Sequence, residues 1–299
     1  MIEVPVVDPH HHLWDLETNL YPWLMETSAD SVIGDTRSLS KTYLVEDLKR
    51  DMAGVGVIKS VHVQTDYDPR DTVGETRWLQ SVADADPDGF PHGFVVWAPL
   101  HKPEAQAILE EQVRYKNTRG VRQMLLWHPD PAKTFFESDL VRSHDWRKGY
   151  GLLKRLGLSF DLAVYANQMA DAAQLLARHK ETPVALLHAG MPIDRDPEGW
   201  QRWRTGMATL ASLDHVSVKI SGWGMVDNNW TEERLRRFVL ETLEIFGTDR
   251  AMFASNFPVD RLYNTYPAIW EAFARITADL SIDEKHALFH GTAEKFYRI

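Results

Sequence analysis

The chain runs to 299 residues, 44% hydrophobic and 25% charged, and its 33 basic against 43 acidic side chains leave a net charge of -10. This is the composition of an ordinary globular chain able to bury a large core, and its acidic balance disfavours nucleic acid and anionic membrane as partners. With no cysteine there is no disulfide scaffold, thiol nucleophile or zinc-thiolate centre, so any transition metal must rely on His, Asp, Glu or water.

The first residues carry no basic and apolar signal pattern, and no apolar run reaches the roughly eighteen residues of a membrane span. A cytoplasmic location and a small-molecule substrate are therefore expected. Asn229-Trp230-Thr231 fits the glycosylation sequon, which without a secretory signal reads as chance.

In chain order, Val6-Val7 forms a short apolar strand that runs into Asp8-Pro9-His10-His11-His12-Leu13-Trp14. Alternation along a strand puts His10 and His12 on one face and His11 and Leu13 on the other, so two imidazoles project together at a strand end. The bland reading is a histidine cluster that binds nothing. A purification tag is disfavoured because the run sits between apolar strand residues and Leu13-Trp14.

A long aromatic-dotted loop follows to about Lys41, then a helix near Tyr43 to Met52 that Gly54 and Gly56 end. Further strands are read at Ile58 to Gln64, Gly93 to Leu100, Gly120 to Trp127, Leu158 to Tyr165, Pro183 to His188, Val216 to Ser221 and Ala251 to Asn256. Helices fall between them, at Gly74 to Ala85, after Pro103, around Gly149 to Leu156, from an Asn167 cap to His179, near Trp200 to Leu213, and from Thr231 to Gly247. Another helix follows Tyr266, and Ser281-Ile282-Asp283-Glu284 is a capping box opening the last one. There is no internal repeat and no linker. Strands and helices alternating eight times predict one domain over 1–299, a single (β/α)8 TIM barrel with long loops after strands one, four and six. A doubly wound sheet would want a Gly-rich phosphate turn, and none is present.

In such a barrel chemistry sits at the C-terminal strand ends. Those ends carry His10 and His12, Gln64, Trp97, the run Arg122 to His128, Asp161 to Tyr165, His188, Lys219 to Ser221, and Asn256. His188 alone could be structural, but its agreement with His10 and His12 favours a shared site. Arg122 could be an ion-paired barrel residue or a fork for a carboxylate. Lys219 reads better as an ion-pair partner, and His62 as a lesser candidate. The eleven tryptophans could mostly be core, although several follow strands where loops would shape a pocket.

These residues resemble a known group. Asp8-Pro9-His10-His11-His12-Leu13-Trp14 is similar to the Asp-x-His-x-His-x-Trp signature of the amidohydrolase superfamily, in the amidohydrolase-2 branch that includes sugar lactonases and pyrone-dicarboxylate lactonase. Gly120-Val121-Arg122, Leu187-His188-Ala189-Gly190, Val218-Lys219-Ile220-Ser221-Gly222, Met252-Phe253-Ala254-Ser255-Asn256-Phe257-Pro258 and Thr292-Ala293-Glu294-Lys295-Phe296-Tyr297 match in family order.

The resemblance implies metal-ligand positions at His10, His12 and His188, with Zn²⁺ as the first candidate. It also implies an Arg122 that meets a carboxylate or sugar oxygen, and a water delivered to an ester carbonyl. One departure stands out: Asn256 occupies the strand-eight position where an aspartate usually binds metal and takes the water's proton. An amide is no general base and offers a metal only a neutral oxygen. Either three imidazoles hold zinc without it, or the site is metal-free and a histidine such as His188, or Asp161, takes the proton. The expected activity is hydrolysis of a lactone of a sugar acid or of an aromatic-degradation intermediate, with Asn256 orienting water and Arg122, Gln64 and His128 binding the acid or hydroxyls. The alternatives are a metal-dependent non-oxidative decarboxylase of the same branch and a barrel that binds without turnover. Barrels of this kind often pair, which adds a homodimer to the expectations.

Overall fold

The computed structural model describes residues 2–29 and 31–299. Eight strands follow one another in space as in sequence: β1 (Val6–His11), β2 (Val57–Val63), β3 (Gly93–Val96), β4 (Thr118–Val121), β5 (Ser159–Leu162), β6 (Val184–Leu186), β7 (Val216–Ile220) and β8 (Ala251–Phe253). Every neighbouring pair in that order is parallel. At the seam, Asn256 N donates to His10 O at 2.8 Å and His12 N to Phe257 O at 2.7 Å. The result is a nearly closed (β/α)8 barrel of the TIM type.

Helices α1 (Pro22–Met25), α2 (Val45–Asp51), α3 (Gly74–Ala85), α4 (Ala105–Gln112), α5 (His144–Tyr150), α6 (Met169–Leu176), α7 (Pro197–Ala211), α8 (Trp223–Val226), α9 (Glu232–Phe246) and α10 (Tyr266–Ile276) fill the connections. The chain ends in α11 (Ile282–His286), a wide helical turn, and α12 (Thr292–Tyr297). Where caps decide a helix start they are the expected short polar residues: Ser143, Asp196, Thr231, Thr265 and Ser281 each accept a first-turn N–H. Asn167 does not cap α6. Its Nδ2 instead donates to the Trp127 carbonyl, and α6 starts at Met169.

The strands are shorter than their apolar runs at the C-terminal end. β4 stops at Val121 and β8 at Phe253, while Arg122 to Trp127 and Ala254 to Asn256 have left the ladder to form the barrel mouth. The longest connections there are 12–44 and 122–143. The segment after β6, 187–196, is no longer than those after β7 (221–231) and β8 (254–265).

The inward faces of the strands pack Val7, Val61, Val63, Val95 and Met252 against Ala293 and Tyr297 of α12. Burying each such side chain contributes about 1.5–3 kcal/mol. No helix among the described residues is long and apolar enough to cross a membrane.

Candidate active site

A cavity of about 220 Å³ opens among the C-terminal strand ends, lined by His12, Thr65, Asp66, Arg122, His188 and Asn256 with Met124, Leu126, Phe135, Phe136, Leu187, Met191 and Met225. Nearly every strand's end contributes, and the walls are mostly apolar. This is the placement and texture of a small-molecule site.

β1 brings in two imidazoles by the alternation read from the sequence. His10 and His12 have ring centres 5.0 Å apart, whereas His11 turns away to Ser60, its Nε2 2.9 Å from the hydroxyl. The Asp8 carboxylate fixes this strand end. It accepts from Ser255 N (3.1 Å), Ser255 Oγ (2.6 Å), Tyr266 OH (2.9 Å) and His10 N (3.2 Å). Asp8 thus pins β1 to the segment leaving β8, which carries Asn256.

His188 comes from the turn that follows β6, with its ring centre 4.8 Å from that of His10. Its Nδ1 lies 2.8 Å from Ser221 Oγ. The backbone is left-handed at His188 (φ 52°), Ala189 (43°), Gly190 (72°) and Met191 (39°). Such φ values cost of order 1–3 kcal/mol each at non-glycine positions, and strain of this kind concentrates at functional sites. Gly222 leaves room for the ring, since a Cβ there would stand 2.6 Å from His188 Nδ1.

His12 Nδ1 lies 2.7 Å from the Val63 carbonyl, which can only accept, so Nδ1 carries the proton and Nε2 keeps its lone pair. Both ring nitrogens of His10 are buried without a partner. Burial, with Lys219 and His188 adding repulsion, pushes His10 well below the ordinary histidine range. Burial and the Arg122 guanidinium do the same to His12, and hold His188 down to about 3. All three are neutral at pH 7.

Arg122 is buried, with Nη2 donating to the Gln64 carbonyl and Nε left without a partner. One donor is therefore spent on positioning and others remain for a ligand. Asn256 sits in the left-handed region (φ 56°), a conformation asparagine tolerates, and its Nδ2 points to Asp260 Oδ1 at 3.4 Å. Asp260 is itself buried with no cation at hand, and burial lifts its carboxyl to about 7.

Four candidate residues are placed elsewhere. Gln64 shares the helix-facing side of β2 with His62; its Oε1 caps Asp66 N at 2.7 Å, and it reaches the cavity only through the carbonyl that holds Arg122. His62 faces Glu75 of α3 at 3.3 Å. His128 lies in a neighbouring cleft with Lys133 and Asp194, 3.6 Å from the Asp194 carboxylate. Asp161 is locked inside the barrel, accepting from Lys219 Nζ at 2.7 Å and Tyr297 OH at 2.8 Å, with no face on the cavity. Every oxygen it could offer as a base is already taken.

Sequence reading passed over Asp66, which lies just beyond the C-terminal end of β2 in a left-handed conformation (φ 52°) on the cavity wall, and Asp260. An acid two residues past a strand end, and an acid closing the apolar run Phe257-Pro258-Val259, were the available signals.

The donor set suits a divalent transition ion in its chemistry: neutral imidazoles, a tautomer fixed by a carbonyl on His12, and two orphaned nitrogens on His10. Among the described residues no three His, Asp or Glu side chains are placed where together they could hold a metal ion, and the strand-eight carboxylate is absent.

Comparison with known proteins agrees with this geometry. A protein-family model described as amidohydrolase matches residues 7–299. The uncharacterized protein y4mH of Sinorhizobium fredii is 46% identical over 300 residues, covering 100% of both chains. An L-fucono-1,5-lactonase of Burkholderia multivorans is 28% identical over 98% of this chain and 96% of its own. The crystal structure of a zinc-bound amidohydrolase from Burkholderia multivorans superposes with a TM-score of 0.81 at 27% identity, covering 99% of this chain and 100% of that one. Barrel, histidine placement and a family match over nearly the whole length lead to one conclusion: the chain belongs to the amidohydrolase family.

Proposed function

We propose that this enzyme opens lactones of sugar acids by adding water to the ring ester. The observation that carries the reading is the convergence of two neutral imidazoles, His12 and His188, and a guanidinium with an unpartnered Nε on one largely apolar cavity, with the His10 ring packed behind both imidazoles at 5.0 and 4.8 Å. The lactonase relatives support it.

The chemistry needs an ester carbonyl carbon presented to a water oxygen, the ring C–O bond broken, and a proton delivered to the departing alkoxide. A hydroxy acid is the product. Arg122 suits the carbonyl oxygen as charge develops there, and then the product carboxylate. Asn256, its Nδ2 turned to Asp260, is left with Oδ1 to accept from the attacking water and orient it. Phe135, Phe136, Met191 and Met225 wall the cavity and exclude other waters, which strengthens every polar contact inside.

His10, His12 and His188 are the residues that would hold a divalent cation such as zinc, whose Lewis acidity lowers the pKa of water to about 7. An imidazole held near pKa 3, as His188 is, makes a poor base but an available ligand. A lactone, being a reactive ester, tolerates the loss of the strand-eight carboxylate better than an amide would.

The test is proton release from a panel of aldono-1,4- and 1,5-lactones, corrected for spontaneous hydrolysis, with protein assayed as purified, after chelation and after zinc addition. Accelerated opening of at least one lactone is expected. Folded protein that accelerates none under any of the three conditions would overturn the reading.

A further inference from the structure

A second cavity of about 270 Å³ adjoins the first and shares two wall residues with it, Trp23 and Asp66. Trp23 is fixed there by Nε1 donating to the Thr65 carbonyl at 2.6 Å. Asp66 is fixed by its left-handed backbone and the bond from its N–H to Gln64 Oε1. The two spaces therefore meet across one indole and one carboxylate.

The lining of the second space decides what fits it. Trp97 and Tyr67 add aromatic faces. Carboxylates are present too: Asp68 pairs with Arg70 at 2.7 Å and Asp71 with Arg77 at 2.9 Å, while Glu75 is hydrogen-bonded by Thr65 N at 2.9 Å. A cation would gain little from them.

What remains are free acceptors. Gln112, wholly buried, lines the cavity; its Nε2 donates to the carbonyls of Thr72 (3.1 Å) and Trp97 (3.0 Å), which fixes the amide and leaves Oε1 without a partner. Such a buried acceptor is costly unless a donor meets it. Hydroxyl donors beside aromatic faces are what a sugar ring supplies, with its O–H edge and C–H face.

The geometry points to a glycosylated sugar lactone as the substrate: the reacting ring sits in the His12/His188 cavity, and a second sugar unit occupies the Trp97/Gln112 cavity, crossing at Trp23 and Asp66. This rests on the lactonase reading and adds the size and polarity of the substrate to it.

The experiment compares glucono-1,5-lactone with lactobiono-1,5-lactone and maltobiono-1,5-lactone, which carry a further hexose. For the wild type, kcat/KM is expected to be about tenfold higher for a glycosylated lactone, and Trp97→Ala is expected to remove that preference. Equal kcat/KM for all three in the wild type would overturn the inference while leaving the lactonase reading standing.

Binding separates the two ideas if no lactone turns over. Tryptophan fluorescence titrated with lactobionate, maltobionate and gluconate is expected to show tighter binding of a glycosylated acid, lost in Trp97→Ala. No difference between the acids would overturn the inference independently of catalysis.

Discussion

Two polar clusters lie buried next to each other in this barrel, and they differ in whether their atoms have partners. In the first, Lys219 and Asp161, both fully buried, pair at 2.7 Å; Tyr297 OH donates to the same carboxylate, and Lys219 also donates to Pro9 O at 2.6 Å. Every charge there is answered. In the second, His10 keeps two orphaned nitrogens, Arg122 an orphaned Nε, and Asp260 meets the Asn256 amide at 3.4 Å and the Gly222 backbone but no cation. A satisfied network specifies and stabilises a fold, whereas buried polar atoms left unpaired cost stability and are retained where a ligand will meet them. The two aspartates make the same point, because one is held by a cation and the other is lifted toward neutrality by burial alone.

The sharpest way to break the contrast is Lys219→Met, which strands Asp161 as an uncompensated charge. We expect a loss of about 3–5 kcal/mol by denaturant unfolding, largely recovered in Lys219→Met/Asp161→Leu. Asp260→Asn should act in the opposite direction.

Because burial lifts the Asp260 carboxyl to about 7 in the folded chain, against 3.8 for an ordinary aspartate, the unfolded chain gives up its proton first as pH rises. Wild-type stability should therefore fall between about pH 4 and 7, by at most about 4 kcal/mol, and level off above. The Asn variant should lack that slope, so its advantage over wild type grows across the same window. Parallel unfolding curves at pH 5 and pH 8 would refute this assignment.

Arg122→Met removes the donor proposed for the reacting carbonyl, and kcat/KM for an accepted lactone should drop on the order of 10²–10³. Ser221→Ala leaves His188 without its orienting hydroxyl. It should cost about tenfold in activity with a smaller change in thermal midpoint, which would rank it as a positioning residue.

Much of this was legible in the sequence, for physical reasons. Strand alternation alone separated His10 and His12 from His11, and the eight-fold succession of strands and helices specified the barrel. Lys219 was read as an ion-pair partner and is one. Strand lengths were overread because residues such as Met124 and Leu126 are apolar for the cavity's sake, not the ladder's, and composition cannot tell the two uses apart.

Alternation already puts Gln64 on one face with His62; what the sequence does not show is that this face turns outward to α3, where His62 meets Glu75. Asp161 looked free because its partner Tyr297 lies at the far end of the chain, and nothing local announces that contact. Asp260 was passed over since a left-handed turn at Asn256 is needed to bring it back to the amide.

The most direct measurement is lactone opening at constant pH by the wild type and by His10→Ala/His12→Ala, with the unfolding midpoint taken on the same preparations. The account expects the double variant to lose at least on the order of 10²-fold in kcat/KM while staying folded. A folded double variant that opens lactones at the wild-type rate would contradict the placement of the reaction among these imidazoles.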